Sequence, residues 1–309
     1  MDRVHREIAR IASAVDAITG LCAIHVESGE RISLNADKSF AMASTYKVAI
    51  VAQLLHLVDQ GKLSLDQPVE IQRSDLGAGS GLVTEFLGYS GVHLSIRSLL
   101  GLTLRLSDNT ASDILLRLAG GPDAVTSFIR AKGIVDLRVD RSTKQILTEY
   151  SGLLDQLPDA EWSIERFTSL ASAVTESARR AAQEAYLADP RNRCSPAAMA
   201  NLLVLLHRGE IISEQQRDLM VATMEICQTG PGRLKGMLPP KTVVAHKTGT
   251  LEGDVASVIN DVGMIRLPDD RGHVAIAVYV QATRRSTAEY EGLIAHLSRC
   301  VFDYFTLVS

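Results

Sequence analysis

The sequence predicts an α+β fold, an α/β sandwich whose antiparallel sheet comes from both chain ends, with flanking helices and an all-helical half inserted between. β-Prone runs cluster at the two ends: LCAIHVE and RISLN early, TVVAHKTGT, ASVINDVGMIRL and HVAIAVYVQAT late. The stretch between them is dominated by segments of helical spacing or composition. No repeat, low-complexity tract or linker divides the 309 residues. One domain is therefore expected, with an α/β part at 1–43 and 240–309 and a helical part at 44–239.

Each element follows in order. Val4, Ile8, Ile11, Ala12, Val15 and Ile18 recur near helical spacing and predict an amphipathic first helix. The segment ESGE turns the chain between the first two strands. AMASTYKVAIVAQLLHLVDQGKL has too little polar surface for an exposed helix, so it belongs in the core and closes at Gly61. LGAGSGLV is a loop, and SIRSLLGLTLRLSDNTASDILLRLAGG holds two helices broken at SDN and ended by Gly120-Gly121-Pro122. A short helix follows near DAVTSFIRAKG. Between Asp140 and Pro196, loop signals surround the Ala/Glu/Arg-rich run SIERFTSLASAVTESARRAAQEAYLA, of helical composition. SPAAMANLLVLLHRG and SEQQRDLMVATMEIC resume the helical period. PDDRG turns the chain between the last two strands, and STAEYEGLIAHLSRCVFDYF closes it as an amphipathic helix.

Composition narrows the function. A net charge of -4 without a Lys/Arg cluster argues against nucleic acid held through phosphates and against a charged membrane surface. No run approaches the roughly 18 apolar residues of a membrane-spanning helix. The start, MDRVHREIARIASAVDAI, lacks the organisation of a secretory signal. A cytoplasmic location is the simpler expectation; a periplasmic or secreted one applies if a leader has been removed. Cys22, Cys194, Cys227 and Cys300 are widely spaced with no C-x-x-C pair, which predicts free thiols rather than a zinc site.

Three short segments carry chemistry. Ser44 and Lys47 lie three apart at the start of the core helix, so an amine can reach a hydroxyl. A serine needs such a base to become a nucleophile, and a lysine serves only where burial or a nearby cation lowers its pKa. The apolar VAIVAQLL after Lys47 supplies that setting. At Ser107-Asp108-Asn109 a serine can relay a proton to a leaving group while the Asn109 amide binds a carbonyl. In Lys247-Thr248-Gly249-Thr250 a fixed positive charge and two hydroxyls can hold a carboxylate. The N–H groups of Ser44 and Thr250 are candidates for an oxyanion hole. Each segment alone is an ordinary cap, turn or strand end.

Together, in this order, S-x-x-K, S-D-N and K-T-G form the set of class A β-lactamases and penicillin-binding proteins, and the chain resembles that family. The likeness extends through NTASDILLRLAGGPDAVTSFIRAKG after the turn. RVDRS and DPRNRCSPAAMANLL resemble the beginning and end of the family's Ω-loop, and INDVGMI its penultimate strand. The resemblance implies the family's sandwich fold, a Ser44 acyl-enzyme and a small amide or ester substrate carrying a carboxylate. It implies no metal or organic cofactor.

One departure stands out. The family's deacylating glutamate follows the D-R-x segment, but Asp140-Arg141-Ser142 is followed by Thr143 and Lys144. Glu149, nearest in sequence, is the first candidate replacement, with Glu161 and Glu165 next. The loop is also long, and Asn192 stands where the resemblance implies an aspartate, which leaves Asp189 as a possible partner for Arg141. Three outcomes stay open: a substitute carboxylate, slow deacylation as in a penicillin-binding or sensor protein, or a different substrate with Lys47 serving both steps. A glutaminase-like amidase is the nearest enzymatic rival.

Overall fold

The computed structural model describes residues 3–307 except 80, 87–90, 155–156, 158–160 and 283–286. In chain order it shows α1 (Arg3–Ala12), β1 (Ala17–His25), β2 (Arg31–Leu34), β3 (Phe40–Ala41), α2 (Lys47–Asp59), β4 (Pro68–Glu70), α3 (Leu82–Phe86) and β5 (His93–Ser95). There follow α4 (Ile96–Arg105), α5 (Asn109–Leu118), α6 (Gly121–Ala131), α7 (Thr143–Tyr150), α8 (Ile164–Ala173) and α9 (Glu176–Ala188). The chain then forms β6 (Arg193–Cys194), α10 (Pro196–His207), α11 (Glu214–Glu225), β7 (Val244–Leu251), β8 (Ser257–Arg266), β9 (His273–Ala282) and α12 (Thr287–Leu307). No helix among the described residues is long and apolar enough to cross a membrane.

The main sheet is antiparallel, in the order β2-β1-β9-β8-β7, so the two chain ends meet at the β1–β9 pair as the sequence predicts. The middle strands β8 and β9 are buried almost throughout, which is why their sequences run apolar instead of alternating. One sheet face, with Leu21, Ile259, Ile276 and Val278, packs on α1 and α12. The other, with Cys22, Val262, Ala277 and Tyr279, packs on α2, α10 and the helical half. The helices begin on side-chain caps: Ser95, Asp108, Ser163, Thr175, Ser195 and Ser213 each accept a first-turn N–H. Ser142 and Gln145 form a reciprocal capping box at α7.

Several expected boundaries shift. The first helix stops at Ala12, and Ile18, counted into its apolar stripe, lies in β1 and is exposed. The strand pairing with β9 claims that segment over its helical spacing. The core helix splits into a 3-10 turn at Ala43–Tyr46 followed by α2. LGAGSGLV gives way to α3 at Leu82, and the Ala/Glu/Arg-rich run forms α8 and α9, parted where Val174 turns extended. Although α10 falls in the expected helical part, it packs directly on β1, β8 and β9.

Candidate active site

Ser44 sits in the 3-10 turn, where residues three apart eclipse, so Ser44 and Lys47 share a side. Ala43, just before it, holds a φ of 44°, a left-handed conformation costing about 1–3 kcal/mol that must be held by its surroundings. Those surroundings are specific: Asn260 of β8 donates from Nδ2 to the carbonyls of Ala41 and Met42 at 2.9 and 3.0 Å. Thr45 Oγ1 donates to Met42 O at 2.8 Å. Gly249 shows how closely β7 approaches this turn. A Cβ there would stand 2.7 Å from Met42 O and 3.1 Å from the Thr45 nitrogen, so only glycine lets the strand lie against it.

Two lysines converge on Ser107. Lys47 is fully buried, its Nζ donating to Ser107 O at 2.7 Å and to Asn109 Oδ1 at 2.9 Å, with Ser107 Oγ at 3.4 Å. Lys247, equally buried, donates to Ser107 Oγ at 2.9 Å and Thr248 O at 2.8 Å. Ser107 itself holds a φ of 60°. Asp108 fixes the turn, its carboxylate accepting the N–H groups of Ala111 and Val83. Burial, and next the charge of Lys247, bring the Lys47 amine down to about 7, against the opposing pull of Asp113 and Asp108. Burial lowers Lys247 to about 8. An amine near neutrality can take a proton, which an ordinary lysine cannot.

β7 is an edge strand of the main sheet and packs beside the Ser44 turn. Thr250 is exposed, and its Oγ1 accepts from Arg233 Nη2 at 2.7 Å. Thr248 is buried with Oγ1 2.6 Å from Thr229 Oγ1. Sequence reasoning missed Arg233. It lies in the loop after α11, is buried, and also donates to Gly249 O and Asn260 O and pairs with Glu291 at 3.0 Å. No local motif marks it. An open groove of about 840 Å³, lined by Leu82, Leu102, Arg105, Leu106 and Gln228 among others, runs beside the Ser107 turn.

A second polar group backs this strand. His246 Nδ1 lies 2.8 Å from Asp261 Oδ2, both fully buried. Burial would lower the imidazole, but Asp261 outweighs it and lifts His246 to about 9. Burial would likewise raise the Cys227 thiol; interaction with His246 and the charge of Lys247 bring it down to about 7. The sequence marked Cys227 only as a free thiol.

Glu149, the expected base, meets two arginines. Its carboxylate pairs with Arg141 and, at 3.2 Å, with Arg191. Arg141 is buried, reaches Asp189 at 3.5 Å, donates to Asn192 Oδ1 at 3.1 Å and lies over the Tyr186 ring. Glu149 thus anchors the loop, tying Arg141 to Arg191. The other candidates are surface ion pairs, Glu161 with Arg166 at 2.6 Å and Glu165 with Arg73 at 3.3 Å. Thr143 Oγ1 is 2.6 Å from the Tyr46 hydroxyl. Asp113, one turn after Asn109 on α5, accepts the N–H groups of Thr143 and Lys144 and so holds the start of α7. The inserted α9 braces the hairpin after β7: Gln183 Oε1 accepts from Asp254 and Val255, and Arg179 pairs with Asp254 at 2.8 Å.

Comparison with known proteins agrees with this arrangement. Residues 3–305 match the profile described as the beta-lactamase enzyme family. Beta-lactamase VEB-1 of Pseudomonas aeruginosa is 28% identical, over 98% of this chain and 91% of its own length. The extended-spectrum beta-lactamase PER-1 of the same organism is 29% identical, over 96% and 86%. A beta-lactamase crystal structure from Chitinophaga pinensis superposes with a TM-score of 0.80 at 30% identity, covering 98% of this chain and 99% of that one. With the fold, the order of the three motifs and this full-length likeness in agreement, the chain belongs to the beta-lactamase enzyme family, as a serine hydrolase of the class A type.

Proposed function

We propose that the protein cleaves a carboxylate-bearing β-lactam, or a similar small amide, through an acyl-enzyme on Ser44, and that it deacylates slowly. One observation carries the reading: Lys47 is buried beside a second lysine, bonded to neutral oxygens, with its amine near 7. An uncharged lysine has two N–H donors and one lone pair. Donation to Ser107 O and Asn109 Oδ1 uses both donors and leaves the lone pair for the Ser44 proton. The backbone N–H groups of Ser44 and Thr250 receive the oxyanion. Ser107, with Lys247 donating to its oxygen, gives its own proton to the leaving nitrogen and recovers one from Lys47 Nζ, 3.4 Å from its Oγ, which returns Lys47 to the uncharged form. Arg233 donates to Thr250 Oγ1, so that hydroxyl can turn its proton to the substrate carboxylate alongside Thr248 and the Lys247 charge.

The second half-reaction is weaker by construction. Thr143 offers no carboxylate, and Glu149, Glu161 and Glu165 are each committed to an arginine. The water that releases the acyl group then depends on Lys47 as base. The test is a chromogenic cephalosporin followed by absorbance and intact mass together. A burst of about one equivalent, with an adduct on Ser44 and slow later turnover, is expected. Fast sustained turnover with no adduct overturns slow deacylation. Neither product nor adduct, with ammonia released from glutamine, moves the enzyme to the amidase branch.

A further inference from the structure

We infer that Glu27, His207 and His273 form a binding site for a divalent transition-metal ion of the Zn2+ kind, at the end of the sheet opposite Thr250. The three residues come from separate elements: Glu27 follows β1, His207 ends α10 and His273 opens β9. Each offers one donor atom, and the three atoms lie within 4.8 Å of one another. His273 Nδ1 is 3.0 Å from Glu27 Oε1, and the His207 and His273 rings are 4.3 Å apart. Ligands bound tetrahedrally at about 2.0–2.1 Å stand roughly 3.4 Å from one another, so small side-chain rotations close the cluster on an ion.

Two imidazoles and one carboxylate make a donor set that zinc accepts, with a fourth position left for water. Room for that water is present: both imidazoles line a cavity of about 250 Å³, together with Asp218 and Glu225. Arg217 and Arg266 also line it, but Arg217 is engaged by Asp218 at 2.9 Å. Arg208 adjoins His207, and His25 Nε2 lies 3.5 Å from Glu27. A Glu27–His273 ion pair alone would account for two of the three groups and give the His207 ring no part.

A metal here would pin the β1–β2 turn, the start of β9 and the end of α10 to one another. Titration of Zn2+ into the full chain, by calorimetry at neutral pH, tests the site. One saturable equivalent is expected, weakened well over roughly a hundredfold in His207→Asn and in His273→Asn, beyond the loss typical of an outer-shell change. Zn2+ should raise the melting temperature of the wild type and leave both variants unmoved. Melting each variant without metal checks that it folds; Glu27→Gln replaces either one that does not. Co2+ should give a visible spectrum without a near-ultraviolet thiolate band. No saturable binding, unchanged affinity in the variants, or a thiolate band placing the ion on a cysteine each overturn the site.

Discussion

Lys47 and Lys247 are fully buried and bond to hydroxyl, amide and carbonyl oxygens, whereas Arg141, almost as buried, meets the carboxylates of Glu149 and Asp189. The two regions use buried cations for opposite ends. A buried cation beside another cation is poorly stabilised, and a lysine answers by lowering its pKa into the range where it can accept a proton. A guanidinium with carboxylate partners stays charged and fixes backbone, here the two ends of the loop at Arg141 and Arg191–Asn192. A proton acceptor needs the first environment, and an anchored loop needs the second.

The sharpest way to break this contrast is at the nucleophile. Ser44→Ala should lower hydrolysis on the order of 10⁴-fold or more and abolish covalent labelling by a penicillin, read by intact mass, with an unchanged melting curve. Labelling that persists would remove Ser44 from the chemistry.

The loop should respond in stability instead. Glu149→Ala leaves Arg141 buried with a weaker partner in Asp189, so unfolding should lose about 2–3 kcal/mol, less than for a buried charge left with no partner. Acylation should change less than tenfold. A collapse of acylation with no loss of stability would instead make Glu149 the base that the sequence suggested.

A finer probe is pH. Acylation should rise with pH through a midpoint near 7, because only the uncharged Lys47 accepts the Ser44 proton. Asp113 favours the charged amine, so Asp113→Asn should move that midpoint down by a fraction of a unit. An unmoved or raised midpoint would detach Asp113 from Lys47. The smallest effect concerns Cys227. Iodoacetamide should modify it with a midpoint near pH 7, ahead of Cys22, Cys194 and Cys300, which burial lifts to about 11 or 12. The modified enzyme should show a higher KM for a carboxylate-bearing substrate, since Cys227 lies beside Thr229, which bonds Thr248.

Those expectations divide along the line between local and distant information. That both chain ends build one sheet was legible from where the β-prone runs cluster, and β8 and β9 carry the long apolar runs that a doubly covered strand requires. Lys47, Ser107 and Lys247 were legible as types and spacings, and Asp108 caps α5 as its place in the turn suggests. Arg233 was not, because its contacts with Thr250, Gly249 and Asn260 join a loop and two strands. The sequence marks Asn260 only as a strand residue, yet its side chain holds the carbonyls beneath the Ser44 turn. The partners of Glu149 were hidden for the same reason. Sequence distance to Thr143 suggested a base, but the carboxylate's true neighbours, Arg141 and Arg191, lie 8 and 42 residues away.

The sequence by itself determined which chemical groups exist and which local turns present them: a hydroxyl and an amine three residues apart, a capped Ser-Asp-Asn turn, a glycine that lets a strand lie close. Tertiary structure decided their charge states and partners. Burial and Coulomb interaction depend on what is brought near in space, and no residue carries that information alone.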